Sequence, residues 1–389
     1  MELAPGTWVD RFAVETTVGV GGMGTVHRVR HRELDSIHAL KVPHEATPQR
    51  LTQLRREARI QARVRHPNVT LATDLVQVDD RLALVMEFVG GATLETVIRG
   101  MRVPRFEMEL LIPGLLAGVA ALHAGGVVHR DLKPGNVLLS VQGRRVVPRL
   151  IDFGLASEIG GRRRDSGSRD FGTPHYMAPE QLRDPTLVDP RLDVYALGAM
   201  LYELATGQRA FPSDDPRVVM EAASRGHIVA VRELAPDLPE RMARAIEGAL
   251  HANPERRIAN CAALWRAWSG PEGPSLEEAA HSTLGWRGVW LEELHFLAPP
   301  LVPLPPLARA VPPSPHDSPP QVPRPALRPT RAWSWPLLLA ATLVGILLIG
   351  AGTLLAAWLV TAERASWSKS DPVHPRTSHL ASPGAVLPR

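Results

Sequence analysis

The sequence predicts an α+β domain, a proline-rich linker and a single C-terminal helix that crosses a membrane. Three observations carry that expectation. Short β-branched runs flank a glycine-rich turn within residues 18–42, a pattern of paired strands. A helical apolar spacing follows at residues 47–64. Far downstream, residues 332–362 contain no charged side chain.

With 389 residues the chain has room for a two-lobed domain of about 250 residues plus appendages. The net charge of +4 comes from scattered arginines, which describes a solvated basic surface and argues against a nucleic-acid partner. One cysteine, Cys261, excludes an internal disulfide and a thiolate metal site and suits a reducing compartment. Of the 44 basic residues three are lysines, Lys41, Lys133 and Lys369, which leaves 41 arginines. Guanidinium is a planar fork, whereas ammonium is a compact point charge. A lysine in such a chain marks a site where one positive charge must fit between crowded oxygens.

Residues 1–9 form an N-terminal extension that lacks the basic-then-apolar pattern of a signal peptide. In "VGVGGMGTVHRVRH", Gly19, Gly21 and Gly24 satisfy G-x-G-x-x-G. A dinucleotide site needs a helix to open there, but "TVHRVRH" has no helical apolar period. The segment therefore reads as strand, turn and strand, a flap whose backbone N–H groups are free to cover phosphates. "SIHALKV" is a third strand and carries Lys41. The helix after it places Leu51, Leu54, Ala58 and Ala62 along one face, with Glu57 at its border. By itself a helix glutamate is more often solvated surface than a partner for an ammonium. "RFEMELLIPGLLAGVAALHAGG" reads as another helix, with Pro113 expected to remove a hydrogen bond and kink it.

Residues 271–297 read as a helical extension packed on the preceding domain, with Trp286, Trp290 and Leu294 at helical spacing. Residues 298–332 form the linker; 13 of the 31 positions in 299–329 are proline, which favours extended polyproline II. Residues 333–360 form the span, since 337–360 alone makes a helix of about 36 Å against a hydrocarbon core of ~30 Å. A buried core helix is the competing reading, but Trp333, Trp335 and Trp358 stand where interfacial aromatics belong. Arg324, Arg328 and Arg331 precede the span, which places the amino-terminal side in the cytoplasm. Residues 361–389 are then a short disordered outer tail, too small for a sensor domain.

Three further motifs are decisive: "HRDLKPGN" at 129–136, "DFG" at 152–154 and "APE" at 178–180. Together with the glycine flap, the strand lysine and the helix glutamate, and in that order, they resemble the eukaryotic-type (Hanks-type) protein kinase family over about residues 10–270. The whole arrangement is similar to bacterial transmembrane Ser/Thr kinases. The resemblance implies a bilobal fold, with a small lobe of antiparallel sheet and one helix above a large, mainly helical lobe.

It also implies roles. Lys41 would hold the α and β phosphates of ATP, and Glu57 would hold Lys41. Asn136 and Asp152 would ligate Mg2+, with Mn2+ as the alternative. Asp131 would take the proton of the incoming hydroxyl and Lys133 would reach the γ-phosphate. Gly19, Val20, Gly21, Gly22, Met23 and Gly24 would cover the phosphates. Val26, Ala39 and Leu138 would line the adenine slot, with Met86 as gatekeeper and the hinge backbone at Glu87–Val89. Asp193 would brace the catalytic loop within the long helix "DVYALGAMLYELATG", while Glu180 and Arg257 would form a structural ion pair.

Lys133 and "GTPHYMAPE" imply Ser/Thr acceptors on protein substrates, with Thr173 seating the acceptor segment. Arg130 implies control by activation-loop phosphorylation, and Ser166 and Ser168 are the expected autophosphorylation sites. The expected location is the bacterial inner (plasma) membrane, single-pass, where the span serves as a tether or as a homodimer contact through Gly345, Gly350 and Gly352. The alternative is a membrane-tethered pseudokinase scaffold, although all five charged or amide catalytic positions are filled.

Overall fold

A computed structural model describes residues 3–22, 24–154, 156–159, 174–281 and Leu294. The chain opens with a six-stranded antiparallel sheet: β1 (Trp8–Val9), β2 (Phe12–Gly21), β3 (Gly24–His31), β4 (Ile37–Pro43), β5 (Ala72–Val78) and β6 (Arg81–Glu87). Their order is β1-β2-β3-β4-β6-β5, so β4 crosses to β6 and encloses the helix between them. Strand alternation then sorts the side chains. Leu40 and Val42 of β4 join Val29, Val76 and Val85 in the small-lobe core. Ala39 and Lys41 face the other way, where the register sets Lys41 beside Val26 and Ala39 beside Met86.

Helix α1 (Pro48–Arg63) begins at Thr47, whose hydroxyl accepts the Arg50 N–H, with Pro48 in the first turn. Its buried stripe is Leu54, Glu57, Ala58, Ile60 and Gln61. The expected apolar face is therefore rotated: Leu51 is half-buried and Ala62 exposed, while Glu57 lies inside the stripe. Leu54 and Ala58 pack on Ala72 and Leu84 of β5 and β6, and that contact turns the helix so that its acid points at the sheet.

The large lobe begins with β7 (Ala92–Thr93), α2 (Leu94–Gly100) and α3 (Arg105–Ala124). Pro113 sits in the interior of α3, yet the helix runs unbroken past it. The residues after it explain what this stretch is for. A Cβ on Gly114 would lie 3.0 Å from Asn68 Nδ2, and one on Gly118 would lie 3.0 Å from Asn68 Cβ, so α3 approaches the Asn68 loop closely. Among the described residues α3 alone is long and apolar enough to cross a membrane, but 67% of its apolar window is buried inside the domain. It is a core helix.

A short β8 (Val127–Val128) leads to a 3-10 turn, Pro134–Asn136, and then β9 (Val137–Gln142), β10 (Arg145–Leu150) and β11 (Ser157–Glu158) follow. The sheets β10-β9-β7 and β11-β8 carry the loops between them. The remaining helices are α4 (Pro179–Arg183), α5 (Pro190–Thr206), α6 (Pro216–Arg225), α7 (Val231–Leu234), α8 (Glu240–Ala249), α9 (Cys261–Ser269) and α10 (Leu276–Ala280). Helix α5 is buried along nearly its whole length and forms the centre of the lobe.

The helical extension expected over 271–297 is described as the five-residue α10, capped by Ser275 and Glu278, together with Leu294 buried in the large-lobe core. The "EGP" that precedes Ser275 explains the late start, because glycine and proline break a helix. Trp286, Trp290, the linker, the membrane span with Gly345, Gly350 and Gly352, and the outer tail lie outside the described residues.

Candidate active site

The site assembles at the junction of the two lobes. Lys41 leaves the cleft face of β4 and its ammonium meets two carboxylates, Glu57 Oε1 at 2.8 Å and Asp152 Oδ1 at 2.7 Å. Burial alone would push the lysine down, but attraction to Glu57 and Asp152 outweighs it and the pKa is raised. Asp152 is half-buried, which alone would raise its carboxyl, yet the Lys41 charge and the Gly154 N–H hold it below the usual range. Burial pushes Glu57 up, as expected when two acids share one ammonium. Near neutral pH a charged Lys41 thus faces an ionised Asp152.

Below them lies the second lysine. Lys133 Nζ reaches Asp131 Oδ2 at 2.9 Å, and Asn136 Nδ2 donates to that same oxygen at 3.0 Å and to the Asp131 carbonyl at 2.8 Å. The Pro134–Asn136 turn sets this spacing, and Ile151 N–H donates to the Asn136 carbonyl at 2.9 Å. That bond ties the loop holding Asp131 to the loop holding Asp152.

Two of the five described non-glycine residues with positive φ lie here. Arg130 has φ 68° and Asp152 has φ 62°, both left-handed and costly for side chains other than glycine. Asp193 holds the first of them: its carboxylate accepts the N–H groups of His129 and Arg130 at 2.8 Å each and bonds His123 Nε2 at 2.8 Å. Burial would raise its pKa, but those donors lower it. Gln181 adds a bond to the Arg130 carbonyl at 2.8 Å.

The glycine turn divides by role. Gly19 and Gly22 look onto open space, as phosphate-covering positions require, whereas a Cβ on Gly24 would stand 2.5 Å from the Val42 carbonyl. Gly24 is thus needed for strand contact. Gly21 accepts a bond from the His44 ring at 2.8 Å, Val20 is exposed, and Met23 lies outside the described residues. Val26, Ala39 and Met86 share the cleft face, Leu138 on β9 is half-buried beneath, and Glu87–Val89 connect the lobes.

Arg257 and Glu180 meet twice, at 2.6 and 2.9 Å, with the guanidinium 4.9 Å from the Tyr195 ring centre. Arg130 is buried and donates to the Ser157 hydroxyl and the Pro185 carbonyl. Ser166, Ser168 and Thr173 lie outside the described residues.

Several neighbours escaped the sequence reading. Gln53 sits one turn ahead of Glu57 and bonds the Gly154 carbonyl at 2.5 Å; its i−4 spacing from Glu57 was the available signal. Tyr176 donates to Glu203 Oε2 at 2.5 Å, a pairing 27 residues apart that nothing local announces. His123, in the same helix as Pro113, reads as surface until Asp193 is placed beside it.

The residues at the site suit a hard divalent cation bound together with phosphates. Asp152 offers an ionised oxygen, and Asn136, whose N–H groups are occupied by Asp131, is left to offer its carbonyl oxygen. Among the described residues no group of three or more His, Cys, Asp or Glu forms an all-protein metal cage. Two protein oxygens completed by substrate oxygens are what Mg2+ favours.

Comparison with known proteins gives a family match, "Protein kinase domain", over residues 12–269. The chain is 33% identical to the serine/threonine-protein kinase PknL of Mycobacterium tuberculosis over 260 residues, 66% of this chain and 64% of that protein. It is 35% identical to the DNA damage-responsive serine/threonine-protein kinase RqkA of Deinococcus radiodurans over 276 residues, 69% of this chain and 41% of that one. With the serine/threonine-protein kinase pkn2 of Myxococcus xanthus it shares 37% over 223 residues, 55% of this chain and 27% of the relative. The chain thus spans less than two thirds of the length of each of these relatives.

Proposed function

The chain belongs to the protein kinase family, and we propose that it is a membrane-anchored serine/threonine kinase that moves the γ-phosphoryl group of ATP to Ser or Thr hydroxyls of proteins. One observation carries this reading: the Lys41 ammonium bridges Glu57 and Asp152, the arrangement expected of a phosphate-binding cation.

Phosphoryl transfer has a loose transition state, so positioning and charge neutralisation supply most of the catalysis. The acceptor oxygen attacks the γ-phosphorus, the bond to the β–γ bridging oxygen breaks, and ADP leaves. Asp131 takes the hydroxyl proton. Its Oδ2 is held by Lys133 and Asn136, which leaves Oδ1 to meet the acceptor. Lys133 sits close enough to this carboxylate to serve the transferring phosphoryl oxygens as well. Lys41 holds the α and β phosphates. When Mg2+ is bound by Asn136 and Asp152, it offsets the phosphate charge that the lysines leave. Val26, Ala39, Met86 and Leu138 line the adenine slot.

The acceptor class rests on Lys133 and on the names of the relatives. Anchoring rests on the uncharged window at 332–362, and autophosphorylation at Ser166 or Ser168 rests on the arginines around them. The test is phosphate incorporation from ATP into a generic protein substrate by the full chain and by Asp131→Asn. Loss of at least 100-fold in the variant supports the enzyme, whereas equal background counts leave the scaffold. Membrane fractionation of the full chain and of a chain ending at residue 331 tests the anchor.

A further inference from the structure

Two arginines from different elements grip adjacent hinge residues. Arg149 lies on β10 of the large lobe; its Nη2 pairs with Glu87 Oε1 and its Nη1 donates to the Pro67 carbonyl at 2.7 Å. The same Glu87 oxygen accepts the Leu71 N–H at 2.9 Å, and Glu87 N–H donates to the Leu71 carbonyl at 3.0 Å. The Arg149 side chain is 12% exposed and that of Glu87 37%, so the fork packs its arginine against the protein while its carboxylate lies at the rim. One residue on, Phe88 is covered by the Arg28 guanidinium at 5.5 Å from its ring centre. Arg28 in turn is 2.8 Å from Glu15, a buried carboxylate that also takes Arg30 at 2.6 Å.

We propose that Arg149 is a positioning residue for the adenine slot, acting through the Glu87 carboxylate to fix the hinge backbone at Glu87–Val89. The inference rests on the kinase reading above, in which that backbone faces adenine. A connecting segment between two lobes carries few restraints of its own, and each hinge amide must be set before it can meet a flat ring edge. Here the side chain of the first hinge residue is anchored at two points, Arg149 of the large lobe and the Leu71 N–H after α1, and Arg149 is itself tied to that same segment through the Pro67 carbonyl. The guanidinium meets the Pro67 carbonyl and the Glu87 carboxylate through two nitrogens held in one plane, a geometry that an ammonium on a flexible stem does not pre-organise. Arg28 acts on the next residue from the small lobe. The hinge is therefore held from both sides, with Arg149 as the charged arm.

The experiment uses the full chain, with direct titration of adenosine and of inorganic triphosphate with Mg2+ beside steady-state kinetics. Arg149→Gln is expected to raise the KM for ATP and the adenosine Kd about tenfold, with kcat within twofold and the inorganic triphosphate Kd within twofold. Arg149→Lys, which keeps charge without the fork, is expected to recover less than half of the loss. Glu87→Gln keeps an acceptor for Leu71 and removes only the charge facing Arg149, so it carries the test if Arg149→Gln fails to fold. The double variant is expected to bind adenosine no more weakly than the weaker single. Unchanged adenosine affinity in Glu87→Gln and Arg149→Gln overturns the inference and leaves the kinase reading standing. Equal weakening of adenosine and inorganic triphosphate also overturns it, since that describes a general structural role. If the wild type binds adenosine but transfers no phosphate, the enzymatic reading fails while the hinge inference is still decided by the Kd values.

Discussion

Gln53 of α1 donates its side-chain amide to the carbonyl of Gly154 at 2.5 Å, across 101 residues of sequence. This bond fastens the helix that carries Glu57 to the loop that carries Asp152. Both ends of the Lys41 bridge are thus held by a link that does not involve Lys41. Gln53→Ala is expected to lower kcat by about 5- to 10-fold, the loss of one buried bond of about 1 kcal/mol. Gln53→Glu sets a carboxylate against a carbonyl and is expected to lower it further. Steady-state kinetics at saturating ATP reads both; a wild-type kcat for both variants refutes the coupling.

Removing the Lys41 ammonium leaves a buried acid, Glu57, and a half-buried one, Asp152, without their shared partner. Lys41→Met is expected to reduce phosphate transfer by more than 100-fold and to raise the pH at which Asp152 ionises. Its thermal stability is expected to recover as the pH falls from 7 to 5, because protonating a stranded carboxyl removes the buried charge. Melting curves across that range check the sign; a stability that declines over the same interval goes against it.

Asp193 is a buried carboxylate whose folded pKa is depressed by His123 and two backbone N–H groups. Such a group stabilises the fold above its unfolded pKa, near 3.8, and that contribution is lost as the pH falls through the lower folded value. Asp193→Asn is expected to be less stable at pH 7 and to show a flatter decline below about pH 4. Denaturant midpoints at pH 7, 4 and 3 measure it.

The doubly bonded Arg257–Glu180 pair is fully buried on the arginine side. Breaking it from one side, as in Glu180→Leu, is expected to cost about 3–5 kcal/mol, while Glu180→Leu with Arg257→Met costs less than the single change. Calorimetry of the three proteins decides, and additive losses would refute the pairing.

Cys261 starts α9 in full burial, and burial pushes its thiol pKa up. Native protein is expected to leave it unlabelled by a thiol reagent at pH 8, with one equivalent reacting in denaturant.

Much of the small lobe was legible because its signals are local. The β-branched runs around Gly19–Gly24 and the Thr47-Pro48 start of α1 are read from neighbours along the chain. What failed there was orientation: Ala62 was placed on the packed face and Glu57 at its border, since periodicity fixes a stripe only to within a fraction of a turn. Pro113 lies inside α3 as its sequence context suggests, and the helix continues past it where Gly114 and Gly118 approach Asn68. The catalytic positions were readable only through the ordered motifs, and the Asp131 and Asp152 loops are brought together by the β9–β10 pairing, from Gln142 opposite Arg145 to Val137 opposite Leu150, and by the Ile151 to Asn136 bond beyond it. The hinge contacts were not readable at all. Arg149 and Glu87 stand 62 residues apart, and in a chain with 41 arginines no one guanidinium stands out.

The scarcity of lysine has a practical side for anyone handling this molecule. Reagents that seek side-chain amines find three targets, and the two described ones are Lys41, almost fully enclosed, and Lys133, bonded to Asp131. Coupling to an activated ester surface or fixing with an aldehyde would therefore take the backbone α-amine or Lys369, or else poison the cleft, whereas arginine- or carboxyl-directed linkers have many more side chains to choose from.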